Sequence, residues 1–174
     1  VRIVSFMKLR LLVTAILLIP IVAFSSTNWV GISSDVPATS TTRVISQQGD
    51  ETVLFIRVEG FSQQPVMTPR GAAVVLSVPG GSTSLDAAAP DLPKLIAPLI
   101  VPPGAEMEAE VISSSFRDFS GMDIAPSKGN LYRDQDPAAV PYSYGTAYAN
   151  DAFYPGEVAR LQAPYVLRDF TGQT

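Results

Sequence analysis

Prolines and glycines punctuate this chain so often that no long helix fits between them. Fifteen prolines and twelve glycines are spread over 174 residues. The pieces between them are rich in β-branched and aromatic side chains, which suit a pleated surface, and the breaks suit turns between short strands. The expected fold is therefore all-β. Hydrophobic residues make up 47% of the chain and charged residues 16%, which is enough apolar content to fill a core and unlike a disordered sequence. The length fits one ordinary domain.

Particular runs set the expected elements. Thr52 to Val58 alternates Val53, Phe55 and Arg57 on one face with Leu54, Ile56 and Val58 on the other. A strand apolar on both faces is expected to lie buried within a sheet. Residues 60–70 read as a turn, and Ala72 to Val78 as a second strand ended by Pro79-Gly80-Gly81. Leu92 to Val101 alternates but contains Pro93 and Pro98, which cannot donate to a ladder, so an edge or kinked strand is expected. Met107 to Ser113 reads as a further strand, and Glu157 to Leu161 with Pro164 to Phe170 as a closing pair. Arg168 and Asp169, adjacent in that last strand, would then point to opposite faces and be structural. Residues 117–155 carry no clear period and are dense in Pro, Gly, Asp and Tyr. Such a long irregular stretch is usually functional or disordered, and its aromatics (Tyr132, Tyr142, Tyr144, Tyr148, Phe153 and Tyr154) can pin a loop to a surface. There is no internal repeat.

Two absences narrow the chemistry. The chain contains no His and no Cys. A Cys/His dyad, a Ser-His-Asp triad, an imidazole-ligated metal and a disulfide are all excluded. A Ser/Lys or paired-carboxylate mechanism remains formally open, but no motif marks one. No cofactor is expected. Asp134 and Asp136 have the hard oxygen ligands of a calcium loop but lack its twelve-residue pattern and terminal Glu, so no metal is expected either.

The first residues read as a secretory leader. Arg2, Lys8 and Arg10 precede an apolar run of 14 residues from Leu11 to Phe24. That run is short of the roughly 20 residues that span a bilayer, and Pro20 and the small residues Ala23 and Ser25 fit a cleaved signal, with the cut after Ser25. The expected organisation is a signal peptide over 1–25, a flexible Ser/Thr-rich lead-in over 26–50 and a β-domain over 51–174. No membrane anchor is expected to survive cleavage. Taking the leader's three bases from a net charge of −4 leaves −7, which gives no electrostatic footprint for nucleic acid or anionic lipid. Because the sequence stops directly after a strand, the domain is expected to lack its last strands and to present an open edge.

A set of motifs recurs in one order: EVISSSF at 110–116, IAPSKG at 124–129, YRDQDP at 132–137, VPYSYG at 140–145, FYPGEVARL at 153–161 and PYVLRDFTGQ at 164–173. In these motifs the chain resembles the N-terminal prodomain of the gingipains, above all the arginine-specific ones. The PDLP at Pro90 to Pro93 extends the likeness upstream, while residues 52–78 share a strand pattern more than identities. The resemblance implies a jelly-roll-like β-sandwich prodomain that folds ahead of a caspase-like cysteine protease domain, assists its folding, keeps it inactive and is then cut away. Its partner would be the catalytic domain of its own protease. It implies export, through the periplasm to the outer surface or the medium. It also places one prodomain Arg in the protease's primary specificity pocket, and the matching residue is Arg133. Tyr132, Asp134, Asp136 and Lys128 flank it as candidate protease-binding residues.

Without the resemblance, Arg133 is an exposed Arg among acids, and Lys128 a turn residue after Ser127. A planar, always-charged guanidinium does suit a pocket carboxylate, which it can meet through two parallel hydrogen bonds. The rival reading is a secreted sandwich module that binds carbohydrate or mediates adhesion, with the tyrosines as its platform.

Overall fold

The computed structural model describes residues 27–174, and the candidate leader with Ala23 and Ser25 lies outside them. Among the described residues eight strands form three antiparallel sheets, and the helical content is one short 3-10 turn at Thr146–Tyr148. The fold is all-β, as the punctuation dictates. One sheet has the order β1 (Asn28–Gly31), β4 (Gly60–Thr68), β5 (Gly71–Ser77). A second is the hairpin of β2 (Thr41–Gln48) and β3 (Glu51–Arg57). The third has the order β6 (Leu99–Val101), β8 (Phe170–Gln173), β7 (Tyr165–Leu167).

The core is small and sits on the first sheet. Phe61, Ala73, Leu76, Ala125 and Pro126 are buried, with Val101 and Gly172 the buried residues of the third sheet. Phe61 meets Phe119 edge to face at 5.1 Å, an arrangement that aligns ring edge with ring face. The chain from Phe119 onward thus covers β4 and β5. Val74 donates to the Asp123 carbonyl at 2.8 Å and accepts from Ala125 N–H at 2.8 Å, a parallel bridge that locks Ile124 beside β5. Asp91 N–H donates to Ala125 O at 3.0 Å, and Ser127 N–H to Ala89 O at 2.8 Å. Residues 123–127 are therefore held on both sides.

Several sequence expectations are corrected. The lead-in carries two strands: β1 borders β4, and β2 completes a hairpin with β3. Residues 60–68, read as a turn because of their polar residues and Pro65, form the central strand of the first sheet. Pro65 is tolerated because its partner Val74 directs its N–H and C=O toward residues 123 and 125, away from β4. The strand at 51–57 is present, but its sheet has only two strands, and Phe55 and Ile56 are exposed rather than buried. Of residues 92–101 only the last three pair as a strand, the prolines having removed the donors upstream. Residues 107–113 and 157–161 are not strands, because no edge lies beside them to complete a ladder. Residues 164–170 are half of a hairpin. Arg168 and Asp169 form its two-residue turn, with Arg168 at φ 56°, so they are not strand neighbours on opposite faces.

Candidate functional site

The firmly held segment 123–127 is the base from which the candidate loop springs. At its end Gly129 adopts φ +76°, and a Cβ there would lie 2.9 Å from the Ala87 Cβ. Only glycine fits both the conformation and the space. The chain then leaves the body, and residues 132–139 are all exposed.

Two consecutive turns shape the exposed part. Gln135 N–H donates to the Tyr132 carbonyl at 3.0 Å, and the Gln135 side chain accepts from Tyr132 N–H at 2.8 Å. Arg133 and Asp134 are the two central residues of this closed turn. The second turn runs from Asp136 to Ala139, joined by Ala139 N–H to Asp136 O at 3.0 Å. Its first residue also accepts from Ala138 N–H through Oδ1 at 2.9 Å, and Pro137 fills the second position. Asp first and Pro second are the residues such a turn favours, one for its carboxylate and the other for its fixed φ.

The candidate residues therefore divide. Tyr132, Arg133 and Asp134 stand exposed at the tip, Tyr132 with 77% of its surface open. Among the described residues the ion pair is Arg57 to Glu59 at 3.3 Å, so Arg133 is paired with neither neighbouring aspartate. Asp136 is engaged within its own turn. Lys128 is half-buried at the neck of the loop, where Nζ donates to the Pro137 carbonyl at 2.6 Å and lies 4.3 Å from the Tyr142 ring centre. Among the described residues no three acidic side chains gather as a metal site would need, so Asp134 and Asp136 have no third carboxylate beside them.

The tyrosines after the loop fasten its far side. Tyr144 shares a 2.7 Å hydrogen bond with the Thr68 hydroxyl and packs edge to face on Tyr148 at 4.7 Å. Arg70 lies 4.1 Å over the Tyr144 ring and 5.8 Å from Tyr148, a cation–π pair that sequence reasoning left unassigned. Tyr148 donates to the Ile124 carbonyl at 2.8 Å. Tyr142, Tyr144 and Tyr148 are thus engaged by Lys128, Arg70 and one another, which leaves little open platform for a sugar. Tyr154 reaches Asp86 at 3.4 Å, whereas Phe153 is 98% exposed and pins nothing.

Beneath the loop lies a cavity of about 310 Å³, lined by Val66, Leu85, Asp91, Leu131, Pro137 and Tyr142 among others. Desolvation raises the Asp91 pKa above its ordinary value, and one of its buried oxygens has no partner. Burial, and secondarily the Asp91 charge, raises the Tyr142 pKa. The two ends of the loop, at Leu131 and Pro137, therefore border an open hollow.

Comparisons with known proteins give this geometry a setting. The chain matches the Propeptide_C25 family over residues 35–174. It is 39% identical over 128 residues to gingipain R1 of Porphyromonas gingivalis, covering 74% of this chain and 13% of that protein. To gingipain R2 of the same species it is 36% identical over 131 residues, covering 75% of this chain and 18% of the relative. The chain thus spans less than a fifth of the length of these relatives. Among solved structures it resembles the complex of the pro- and mature domains of RgpB from P. gingivalis, with a TM-score of 0.71 and 36% identity over 76% of this chain and 69% of that one. A structure addressing the zymogenic latency of gingipain K from P. gingivalis gives a TM-score of 0.69 over 85% of this chain and 83% of the other, and at 18% identity shows the fold alone.

Proposed function

The chain belongs to the Propeptide_C25 family, matched here by gingipain propeptides and not by their catalytic domain, and from that membership we propose that it is the inhibitory propeptide of an exported, arginine-specific cysteine protease zymogen. In this reading its partner is the catalytic domain of its own precursor, whose folding it also assists. Arg133 enters the primary specificity pocket. Transit through the periplasm to the outer surface or the medium, after removal of the leader, belongs to the same proposal.

The observation that carries the reading is the placement of Arg133: exposed, unpaired, and held at the tip of a closed turn. A free guanidinium needs no internal ion pair broken before it meets a pocket carboxylate. Peptides that bind at a strand edge do so in extended form. The bond between Tyr132 O and Gln135 N–H opposes that extension, so the peptide bond after Arg133 is offered in a poor geometry for attack. The same turn supplies preorganisation, since little ordering remains to be done on binding. Tyr132 and Asp134 lie beside Arg133 and would meet the rim of the cleft. Asp136 contributes through the second turn.

The test is inhibition of the gingipain R2 catalytic domain by the chain and by Arg133→Ala, with circular dichroism to confirm that both are folded. Arg133→Ala should weaken inhibition at least about tenfold, or roughly 1.4 kcal/mol. Equal inhibition by the two folded proteins would remove Arg133 from the specificity pocket and return the loop to ordinary surface structure.

A further inference from the structure

The loop that presents Arg133 has an unusual support. Its base at 123–127 is fixed by main-chain bonds on both sides, but its neck at Lys128, Leu131 and Pro137 borders an open hollow of about 310 Å³. Arg133 and its neighbours from 132 to 139 are all exposed. The tip turn closes residues 132 to 135 locally, and the second turn closes 136 to 139. Neither turn connects the outgoing limb at residue 128 to the returning limb at residue 137.

That connection is made by one side chain. Lys128 Nζ donates to the Pro137 carbonyl across nine residues at 2.6 Å and sits over the Tyr142 ring at 4.3 Å. An ammonium donor makes a stronger hydrogen bond than a neutral one. A ring face on its other side favours the same position. Pro137 also holds the second position of the second turn, so the contact couples the neck of the loop to the turn that follows the tip. Gly129 next to it, at φ +76°, directs the chain away from the body as the lysine reaches back across the neck.

We propose that Lys128 is a positioning residue that closes the Arg133 loop and makes it resist cleavage. This rests on the reading that Arg133 occupies the specificity pocket. Lys128 itself does not enter the cleft; it acts through Pro137 and the turn geometry. Without it the two limbs can separate, the tip can extend, and the peptide bond after Arg133 becomes a substrate bond. Hydrolysis would then join water across that bond, leaving a carboxylate on Arg133 and an amine on Asp134, and the inhibitor would be consumed.

The test uses the full chain, Lys128→Met, Lys128→Arg and Arg133→Ala with the gingipain R2 catalytic domain. Inhibition is followed over time, and cleavage after Arg133 is read by mass spectrometry. Lys128→Met is expected to be cut after Arg133 at least about tenfold faster and to lose inhibition progressively, while its thermal midpoint stays near that of the parent. Lys128→Arg, which can still donate to the carbonyl and stack on Tyr142, should restore slow cleavage. Acetylation of the folded Lys94→Arg chain neutralises Lys128 without refolding and without touching a second lysine of the domain, and it should accelerate the same cut, which covers the case in which Lys128→Met does not fold. If Lys128→Met and the acetylated chain are cut as slowly as the parent while Arg133→Ala loses inhibition, the positioning role is wrong and the Arg133 reading stands. Unchanged inhibition by Arg133→Ala overturns the reading and the positioning role with it.

Discussion

The Tyr148 hydroxyl donates to the Ile124 carbonyl at 2.8 Å, and burial first, then the neighbouring Tyr144, pushes its pKa from the ordinary 10.0 up to about 12. The folded state therefore holds this proton more tightly than the unfolded chain does. The stability so gained is complete below pH 10 and is lost as pH rises through about 12. Tyr148→Phe should lower stability by about 1 kcal/mol at neutral pH. The gap between variant and parent should narrow as pH rises above 10, and urea melts across that range check both statements. At this scale sequence reading worked unevenly. Arg133 is singled out by the motifs around it and its role is a proposal, whereas the tyrosines are legible through their aromatic character and Tyr144 and Tyr148 are engaged in the fold. Lys128 was found as a candidate but its contact was not, because a side chain that reaches a carbonyl nine residues away leaves no pattern in the sequence. Arg70 was passed over for the same reason, since its partner rings lie more than seventy residues on. Asp136 was grouped with the tip residues by adjacency, whereas its carboxylate is used inside its own turn.

Elements were legible where period and partner agreed. Residues 52–58 and 72–78 read as strands because their β-branched alternation is plain, and strands one residue earlier, at 51–57 and 71–77, each have a hairpin partner beside them. Residues 107–113 alternate too, but alternation describes a strand only when an edge is available to complete the ladder. The opposite error occurred at 60–68 and 28–31, where polar residues and Pro65 hid strands that tertiary pairing imposes. The pairing of these two hidden strands depends on a close approach. The Trp29 ring lies directly over Gly60, and its Nε1 donates to Ser34 O at 2.9 Å. A Cβ on Gly60 would drive into that ring and lie 2.6 Å from the Val30 carbonyl oxygen. Neither a clamped indole nor a paired backbone can retreat easily. Gly60→Ala is thus expected to cost about 1–3 kcal/mol by forcing β1 from β4. Thermal unfolding, with hydrogen exchange over Asn28–Gly31, would show it. A variant with parental stability and protection would mean that β1 is not held by this contact.

Among the described residues many large apolar side chains are exposed, and several of them gather on one face. On the third sheet, Ile100 and Tyr165 both pair with Gly172 and so share a face, which Leu167 and Phe170 extend by strand alternation. The Tyr165 ring covers Gly172, yet Ile100, Leu167 and Phe170 remain 72%, 66% and 60% exposed around a hollow of about 280 Å³. The opposite face turns Val101 inward at 4% exposure but leaves Val166, which shares its partner Thr171, 75% exposed. The all-β class was legible from the proline and glycine spacing. The shortage of buried side chains was not, because 47% hydrophobic composition does not say how much of it the chain can cover by itself. The family match runs from residue 35, further upstream than the motifs that begin at Pro90. A contiguous exposed apolar face favours association. The chain should therefore self-associate as its concentration rises, and the pair Ile100→Lys with Leu167→Lys should hold it monomeric in sedimentation velocity. Because both side chains are solvent-exposed, the charged pair should leave the thermal midpoint within a few degrees of the parent, about the effect of a surface change. A large fall in midpoint would instead mean that these residues pack within the domain and that the face is not open in solution.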